Sequence, residues 1–235
     1  MRRTWRRAAR VTGTVLVVLA ASVLLVQAWF YAQILWWARS APESTAFMER
    51  RLDEMRTADP QARLRHRWIP YERISVELKR AVVAAEDAKF LDHDGFDWEA
   101  IQKAMAKNER RGRVVAGAST LSQQLAKNLF LSGQRSWLRK GQEAVITAML
   151  EHAMDKRRIL ELYLNFAEWG DGVFGAEAAA RYHFGVPAAR LDARQAAWLA
   201  AILPSPRRYQ RGTSTAYVES RIATIQHHMS YAQIP

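Results

Sequence analysis

The chain has 235 residues, of which 49% are hydrophobic, so it can bury one sizeable core and at most a small second lobe. It contains no cysteine, which excludes disulfide bonds and thiolate metal sites. The formal net charge is +12, and residues 1–10 carry much of this excess as arginine. The rest suits anionic lipid headgroups and phosphate groups, and we do not expect nucleic acid as a partner.

Residues 11–38 carry no charged side chain and predict a single transmembrane helix. At about 1.5 Å per residue, this stretch exceeds the roughly 30 Å hydrocarbon core of a bilayer. Five aromatic residues near its end resemble an interfacial belt. A signal peptide cleaved after Ala28 is the rival interpretation, but the apolar stretch is longer than a signal peptide requires. The preceding arginines predict a cytoplasmic N-terminus, with the remainder outside the inner membrane.

The soluble part is predicted to be mainly α, because strand signals are almost absent. We divide the chain into a basic tail (1–10), a transmembrane helix (11–38), a membrane-proximal connector (39–67) and a globular domain (68–235). Residues 107–115 are rich in basic side chains and predict an exposed loop. Cap residues and apolar periodicity predict helices at 43–57, after Ser75, from Asp97 to about 107, at 120–130 and 137–153, after Asp155, at 174–182, after Asp192 and at 216–228.

The stretch around Glu86 combines apolar surface with acids. An apolar helical run, residues 81–85, leads directly into Glu86 and Asp87, and a turn rich in Asp, His and Gly follows. Acids beside apolar surface are disfavoured unless they are paired, neutralised or functional. Such a site raises the pKa of a carboxyl toward the range of a general base; a plain surface pair of acids is the alternative. We expect His93 to hold the turn by hydrogen bonds, since no second His lies at metal-ligand spacing.

Two later stretches bring polar and basic side chains together. Residues spaced by three and four along one helical face are Thr120, Gln123, Gln124 and Lys127. The next stretch surrounds one acid, Glu143, with Arg135, Arg139 and Lys140. Cations that converge around a few carboxylates suit a phosphate or pyrophosphate ligand. An ordinary solvated helix face is the alternative for either stretch taken alone.

Five stretches in order resemble the motifs of the peptidoglycan glycosyltransferases. They are EDAKFLDHDGFD (86–97), GASTLSQQLAKN (117–128), RSWLRKGQEA (135–144), KRRILELYLN (156–165) and FGAEAAARYHFG (174–185). This order over most of the soluble part is far more specific than one short pattern. No Ser-x-x-Lys or Lys-Thr-Gly occurs, so the chain resembles the monofunctional biosynthetic transglycosylases rather than the bifunctional penicillin-binding proteins, whose glycosyltransferase domain is related.

The resemblance implies a lysozyme-like helical glycosyltransferase domain with a larger lobe and a smaller, membrane-proximal lobe. It implies that lipid II is polymerised into β-1,4-linked glycan with inversion and release of undecaprenyl pyrophosphate, in the bacterial inner membrane with the catalytic domain in the periplasm. No cofactor is required by this scheme, although a divalent cation, Mg or Mn, at the pyrophosphate is left open. The implied partners are lipid II, the growing glycan strand, membrane lipids and other cell-wall synthesis proteins.

The resemblance also implies roles for single residues. Glu86 would be the base, and Glu143 a second catalytic glutamate that orients either the cations or a divalent ion. Asn165, Glu168 and Gly175 fall in later motifs, where we expect architecture before chemistry. The implied substrate-binding residues are Asp87, Ser119, Thr120, Gln123, Gln124, Lys127, Arg135, Arg139 and Lys140.

Two other functions fit parts of the sequence. A membrane-anchored, lysozyme-like enzyme that cleaves peptidoglycan would also use two acids, but it has no need of cations directed at a pyrophosphate. A membrane-anchored scaffold of a cell-wall assembly would tolerate replacement of Glu86. The glycosyltransferase hypothesis predicts instead that this replacement removes nearly all polymerisation.

Overall fold

The computed structural model describes residues 2–115, 117–131, 136–209 and 215–235, with the backbone alone for residues 2–10. It confirms a mainly α protein. The described residues form three short strands, β1 (Arg65–His66), β2 (Glu168–Gly170) and β3 (Val173–Phe174). The helices of the described residues are α1 (Arg2–Trp37), α2 (Ala46–Ala58), α3 (Val76–Glu86), α4 (Trp98–Arg111), α5 (Leu121–Phe130), α6 (Trp137–Ala153), α7 (Lys156–Phe166), α8 (Ala176–Phe184), α9 (Ala193–Ile202) and α10 (Ala216–Met229).

The chain forms two compact units, Met1–Ser40 and Ala41–Pro235. The first unit holds α1, whose stretch Val11–Trp37 is 27 residues of mean hydropathy 2.2. A helix of that length spans about 40 Å at 1.5 Å per residue, which is long enough to cross a bilayer.

Side-chain caps explain where the helices of the second unit begin. The hydroxyl of Ser75 accepts a hydrogen bond from Leu78 N at 3.0 Å, and so α3 begins where the sequence predicts. Asp97 caps α4 in the same way through Ala100 N at 2.8 Å. A capping box formed with Gln123 starts α5. These caps fix the ends of the helices that carry the motif residues.

The core of the second unit is formed by helix packing. Helix α9 packs against α3 and α10, and α5 packs against α6, α7 and α2. The buried positions of α9 are mostly alanine and leucine, which allows close approach on both sides. The Ala-rich face of α8, with Ala176, Ala179 and Ala180 fully buried, serves the same purpose. The C-terminal end of α3 and the whole of α5 are therefore rigidly held.

A small sheet holds the segment after α7. Strand β3 pairs in parallel with β1 and antiparallel with β2. Gly175 follows β3 with φ +83°, and a Cβ there would lie 2.6 Å from the carbonyl oxygen of Asn165. Asn165 is fully buried and bonds both the N–H and the carbonyl of Ile69. Asn165 and Gly175 therefore have the architectural role predicted for them.

Helix α4 is longer than predicted. It runs to Arg111 and ends at Gly112, which adopts the left-handed conformation with φ +60°. The predicted loop at 107–115 is thus helical over its first half. The basic side chains near the end of α4 face the negative end of the helix dipole, which stabilises the extra turn. The side chain of Asn108 accepts a hydrogen bond from Val115 N at 2.7 Å and ties down the residues that follow.

Candidate active site

Glu86 is the last residue of α3 and lines a cavity of about 770 Å³. Burial raises the pKa of its carboxyl above the ordinary 4.5, while a hydrogen bond from Gln124 and the charges of Arg221 and Lys127 act in the opposite direction. A general base works best with a pKa nearer the operating pH than an ordinary carboxylate has. The environment of Glu86 therefore suits proton acceptance.

Asp87 is buried and organises the turn that follows α3. Its Oδ1 contacts His93 Nε2 at 2.9 Å, and its Oδ2 accepts a hydrogen bond from Leu121 N at 2.9 Å. The second bond attaches the start of α5 to the end of α3. The ring of His93 also accepts a hydrogen bond from Gly95 N, which confirms its predicted role in holding the turn.

Gln124 connects Glu86 to a buried tyrosine. Its Nε2 donates to Glu86 Oε2 at 2.9 Å, and its Oε1 accepts a hydrogen bond from Tyr163 OH at 3.1 Å. Because the tyrosine donates to the amide oxygen, the amide nitrogen is directed at the carboxylate. Burial also raises the pKa of Tyr163 well above its ordinary value, so this hydroxyl stays protonated as a donor.

A second cavity, of about 590 Å³, holds most of the positive charge near Glu86. One carboxylate, Glu168, is found among the described residues that line it. Five cations of the described residues line the same cavity: Arg50, Lys127, Arg139, Arg207 and Arg208. Guanidinium and ammonium groups facing one space form a strong site for the oxygens of a diphosphate.

Glu143 lies behind these cations. It is buried, pairs with Lys140, and its Oε2 lies 3.9 Å from Arg139 Nη1. Burial lowers the pKa of Lys127, whereas the charge of Glu143 opposes that effect and favours the protonated amine. The geometry therefore favours the cation-orienting role of Glu143 over a role as metal ligand. Within the described part of the chain, no three His, Cys, Asp or Glu side chains are grouped so that they could hold an ion.

The two cavities share a wall. Gln124 and Pro204 line both of them. Helix α10 completes the Glu86 cavity with Tyr217 and Arg221. A group bound in the cation cavity would therefore lie beside a group bound at Glu86.

The predicted site residues have different surroundings. Gln124, Lys127 and Arg139 line the cation cavity, and Asp87, Ser119, Thr120 and Gln124 line the Glu86 cavity. Thr120 and Gln123 are buried and bond each other in the capping box, and Thr120 also donates to Gly95 O at 2.7 Å. Their surroundings favour positioning, and substrate contact by these two stays a prediction. Arg135 lies outside the described residues.

Sequence reasoning missed several cavity residues. Arg50 precedes all five motifs, Arg207 and Arg208 follow them, and Arg221 lies on the last helix. The spacing of four between Tyr217 and Arg221 was the one available signal, since it places both on the same face of a helix.

The family model described as Transglycosylase matches residues 52–230. The chain belongs to this transglycosylase family. It is 54% identical over 235 residues to a biosynthetic peptidoglycan transglycosylase of Azoarcus sp. (strain BH72), with 100% of both chains covered. It is also 54% identical over 230 residues to the protein of that name from Aromatoleum aromaticum, covering 98% of this chain and 100% of the relative. It is 53% identical over 238 residues to the protein of that name from Bordetella pertussis, covering 100% of this chain and 97% of the relative.

Membership of the transglycosylase family agrees with the geometry. A transferase needs a base for the acceptor and positive charge for the leaving group. The Glu86 cavity supplies the base, and the cation cavity on the other side of their shared wall supplies the positive charge. A lysozyme-like hydrolase would leave five cations in one cavity without a purpose.

Proposed function

We infer that this transglycosylase is a peptidoglycan glycosyltransferase that polymerises lipid II into β-1,4-linked glycan strands for the cell wall. The observation that carries this function is a largely buried carboxylate, Glu86, in a cavity that shares a wall with a second cavity, which five cations of the described residues line. The names of the relatives, biosynthetic peptidoglycan transglycosylases, support the same reaction.

The reaction joins an acceptor sugar to a lipid-linked donor. The 4-hydroxyl oxygen of the acceptor attacks C1 of the donor sugar from the face opposite the diphosphate, so the anomeric centre inverts. Glu86 accepts the hydroxyl proton as the new C–O bond forms. The bond between C1 and the diphosphate oxygen breaks, and the electron pair leaves with undecaprenyl pyrophosphate. The cations of the second cavity stabilise the charge that develops on this leaving group.

Lys127 and Arg139 are the predicted residues best placed for the diphosphate, since both line the cation cavity. Glu143 orients Arg139 and Lys140 from behind. We propose that Ser119, which is exposed in the Glu86 cavity, contacts the acceptor sugar. The steps of this scheme use side chains of the chain alone.

A divalent cation at the diphosphate stays a prediction for experiment. Mg²⁺ in phosphoryl sites is usually held by substrate phosphates and one or two carboxylates. Here five cations of the described residues already line the cavity in which a divalent ion would offset the negative charge of the diphosphate. We expect chelation to slow polymerisation less than Lys127→Ala does, and rate measurements with and without a chelator compare the two.

The protein is membrane-anchored through α1, and we propose the finer placement. The anchor crosses the bacterial inner membrane once, with the arginine-rich N-terminus in the cytoplasm and the second unit in the periplasm. Lipid II keeps its tail in the bilayer, so an anchored enzyme searches for it in two dimensions. Membrane lipids, the growing strand and other cell-wall synthesis proteins are the proposed partners.

Polymerisation of purified lipid II tests the function. Wild-type protein is expected to lengthen glycan chains, and Glu86→Gln and Lys127→Ala are expected to lose nearly all of that activity. Matched controls are Glu77→Gln, half-buried in the first turn of α3 and outside both cavities, and Lys107→Ala, exposed on α4. Shortening of finished glycan by the wild type, or full activity of Glu86→Gln, would overturn the assignment.

A further inference from the structure

Helix α2 forms part of the cation cavity, although the sequence assigns it to a connector. Phe47 and Arg50, both on α2, line the cavity together with Lys127 of α5. The family model begins only at residue 52. One wall of the cavity is therefore supplied by a turn of helix that precedes the family-matched region.

Several contacts hold α2 against the rest of the second unit. Arg51 Nε lies 3.3 Å from Glu168 Oε1, and its guanidinium also pairs with Asp171. The ring of Phe47 packs edge-on against Phe174 of β3, with centroids 5.8 Å apart. Arg51 anchors the helix through these ion pairs. The backbone of the neighbouring Arg50 is therefore held in place, and the side chain of Arg50 is not needed as an anchor.

Glu168 links this wall to the opposite one. Its carboxylate is buried, with one oxygen toward Arg51 and the other 3.8 Å from Arg207 Nε. It also accepts a hydrogen bond from Gly172 N at 3.3 Å. A single buried carboxylate thus holds α2 and the short 3₁₀ turn Pro206–Arg208 on two sides of the cavity.

The guanidinium of Arg50 is held within the first turns of α2. It lies 5.3 Å from the centroid of the Phe47 ring, and its Nε lies 3.3 Å from Glu54 Oε1. Its side chain is 36% exposed, so part of it remains accessible to a ligand in the cavity. A planar guanidinium matches two phosphate oxygens at once, which an ammonium group cannot do.

We propose that Arg50 is a further binding residue for the diphosphate of the lipid-linked substrate, and that Arg51 and Glu168 are the positioning residues that hold it there. The identity of the ligand rests on the proposed function; the placement of Arg50 does not. Helix α2 is then part of the active site, and the anchor is followed directly by a substrate-binding element.

The test compares two arginines of one helix in the full-length chain. Arg50→Gln removes the charge in the cavity, Arg50→Lys keeps the charge without the planar fork, and Arg56→Gln makes the same charge change at an exposed position of α2 outside the cavity. Steady-state polymerisation of lipid II gives KM and kcat, inhibition by inorganic pyrophosphate probes the cavity directly, and thermal unfolding reports on structure.

Arg50→Gln is expected to raise KM for lipid II by about three- to tenfold, the range for a partly exposed hydrogen bond to a charged group. Inorganic pyrophosphate should inhibit it less, and Arg50→Lys should fall between it and the wild type. Arg56→Gln should match the wild type, and all unfolding temperatures should agree. Equal kinetics for Arg50→Gln and Arg56→Gln would overturn the proposal. A kinetic defect of Arg50→Gln accompanied by a lowered unfolding temperature would also overturn it, because the defect would then report a loss of structure.

The outcomes also separate this inference from the proposed function. A wild-type protein that does not polymerise lipid II would remove the function itself. A wild-type protein that polymerises it, with Lys127→Ala defective and Arg50→Gln normal in KM and in pyrophosphate inhibition, would remove only the role of Arg50.

Discussion

Replacing Gln124 by leucine should move the pH dependence of the enzyme. The amide nitrogen of Gln124 donates to Glu86 at 2.9 Å, and this bond favours the ionised carboxylate. A hydrogen bond to a charged group contributes about 1.5–3 kcal/mol, and one pKa unit corresponds to about 1.4 kcal/mol. Glu86 is largely buried, so water replaces only part of the lost bond, and we expect the pKa of Glu86 to rise.

The base must be ionised to accept a proton, so the rate falls as the pH drops below its pKa. The acid limb of kcat/KM, which reports the free enzyme, should therefore move to higher pH in Gln124→Leu. At a fixed pH on this limb, kcat/KM should fall by about tenfold, the factor that corresponds to about 1.4 kcal/mol. Tyr163→Phe keeps the amide but releases its orientation, and it should produce a smaller shift in the same direction. Gln226→Leu, exposed on α10, is the control. An acid limb in Gln124→Leu that coincides with the wild type would refute the role of Gln124 or of Glu86 as base.

Three further predictions use other properties of the second unit. Glu86→Gln should unfold at the same or a higher temperature than the wild type at pH 7. The raised pKa of Glu86 means that folding disfavours the ionised carboxylate, so the wild type loses stability as the pH rises above 4.5. An increase in unfolding temperature that is larger at pH 4 than at pH 7 would contradict this. Gly175→Ala should lose about 2–4 kcal/mol in denaturant unfolding, because its Cβ would collide with Asn165 O, while Gly141→Ala, in open helix, should gain stability. Deletion of residues 1–40 should leave the unfolding of the second unit unchanged but reduce polymerisation of lipid II in vesicles, and equal activity with and without the anchor would count against two-dimensional search.

Local chemistry made much of the fold predictable. Ser75, Asp97 and Asp192 act as caps because a short side chain can satisfy an unpaired N–H one turn ahead, and this depends only on nearby sequence. The end of α4 was harder to predict from the sequence, because Lys, Arg and Glu are compatible with both a helix and a loop. Only the backbone of Gly112 decides where the helix stops.

The candidate site was predictable in part. Glu86 and Lys127 stand in short motifs whose residue types already suggest a base and an anion ligand. Arg50 and Arg207 stand in segments with no such pattern, and they reach one cavity because Glu168 holds their two segments together across more than a hundred residues of chain. Sequence spacing carries no information about such a long-range contact.

The arrangement of charge also suggests why the base and the cations are separate but adjacent. In the protein without substrate, Lys127 lowers the pKa of Glu86 and so opposes the effect of burial. A diphosphate bound beside Lys127 would offset that positive charge, and the carboxylate would then experience mainly its buried surroundings. Glu86 would become a stronger base when the donor is in place, so proton acceptance would be favoured at the stage when a leaving group is ready to depart.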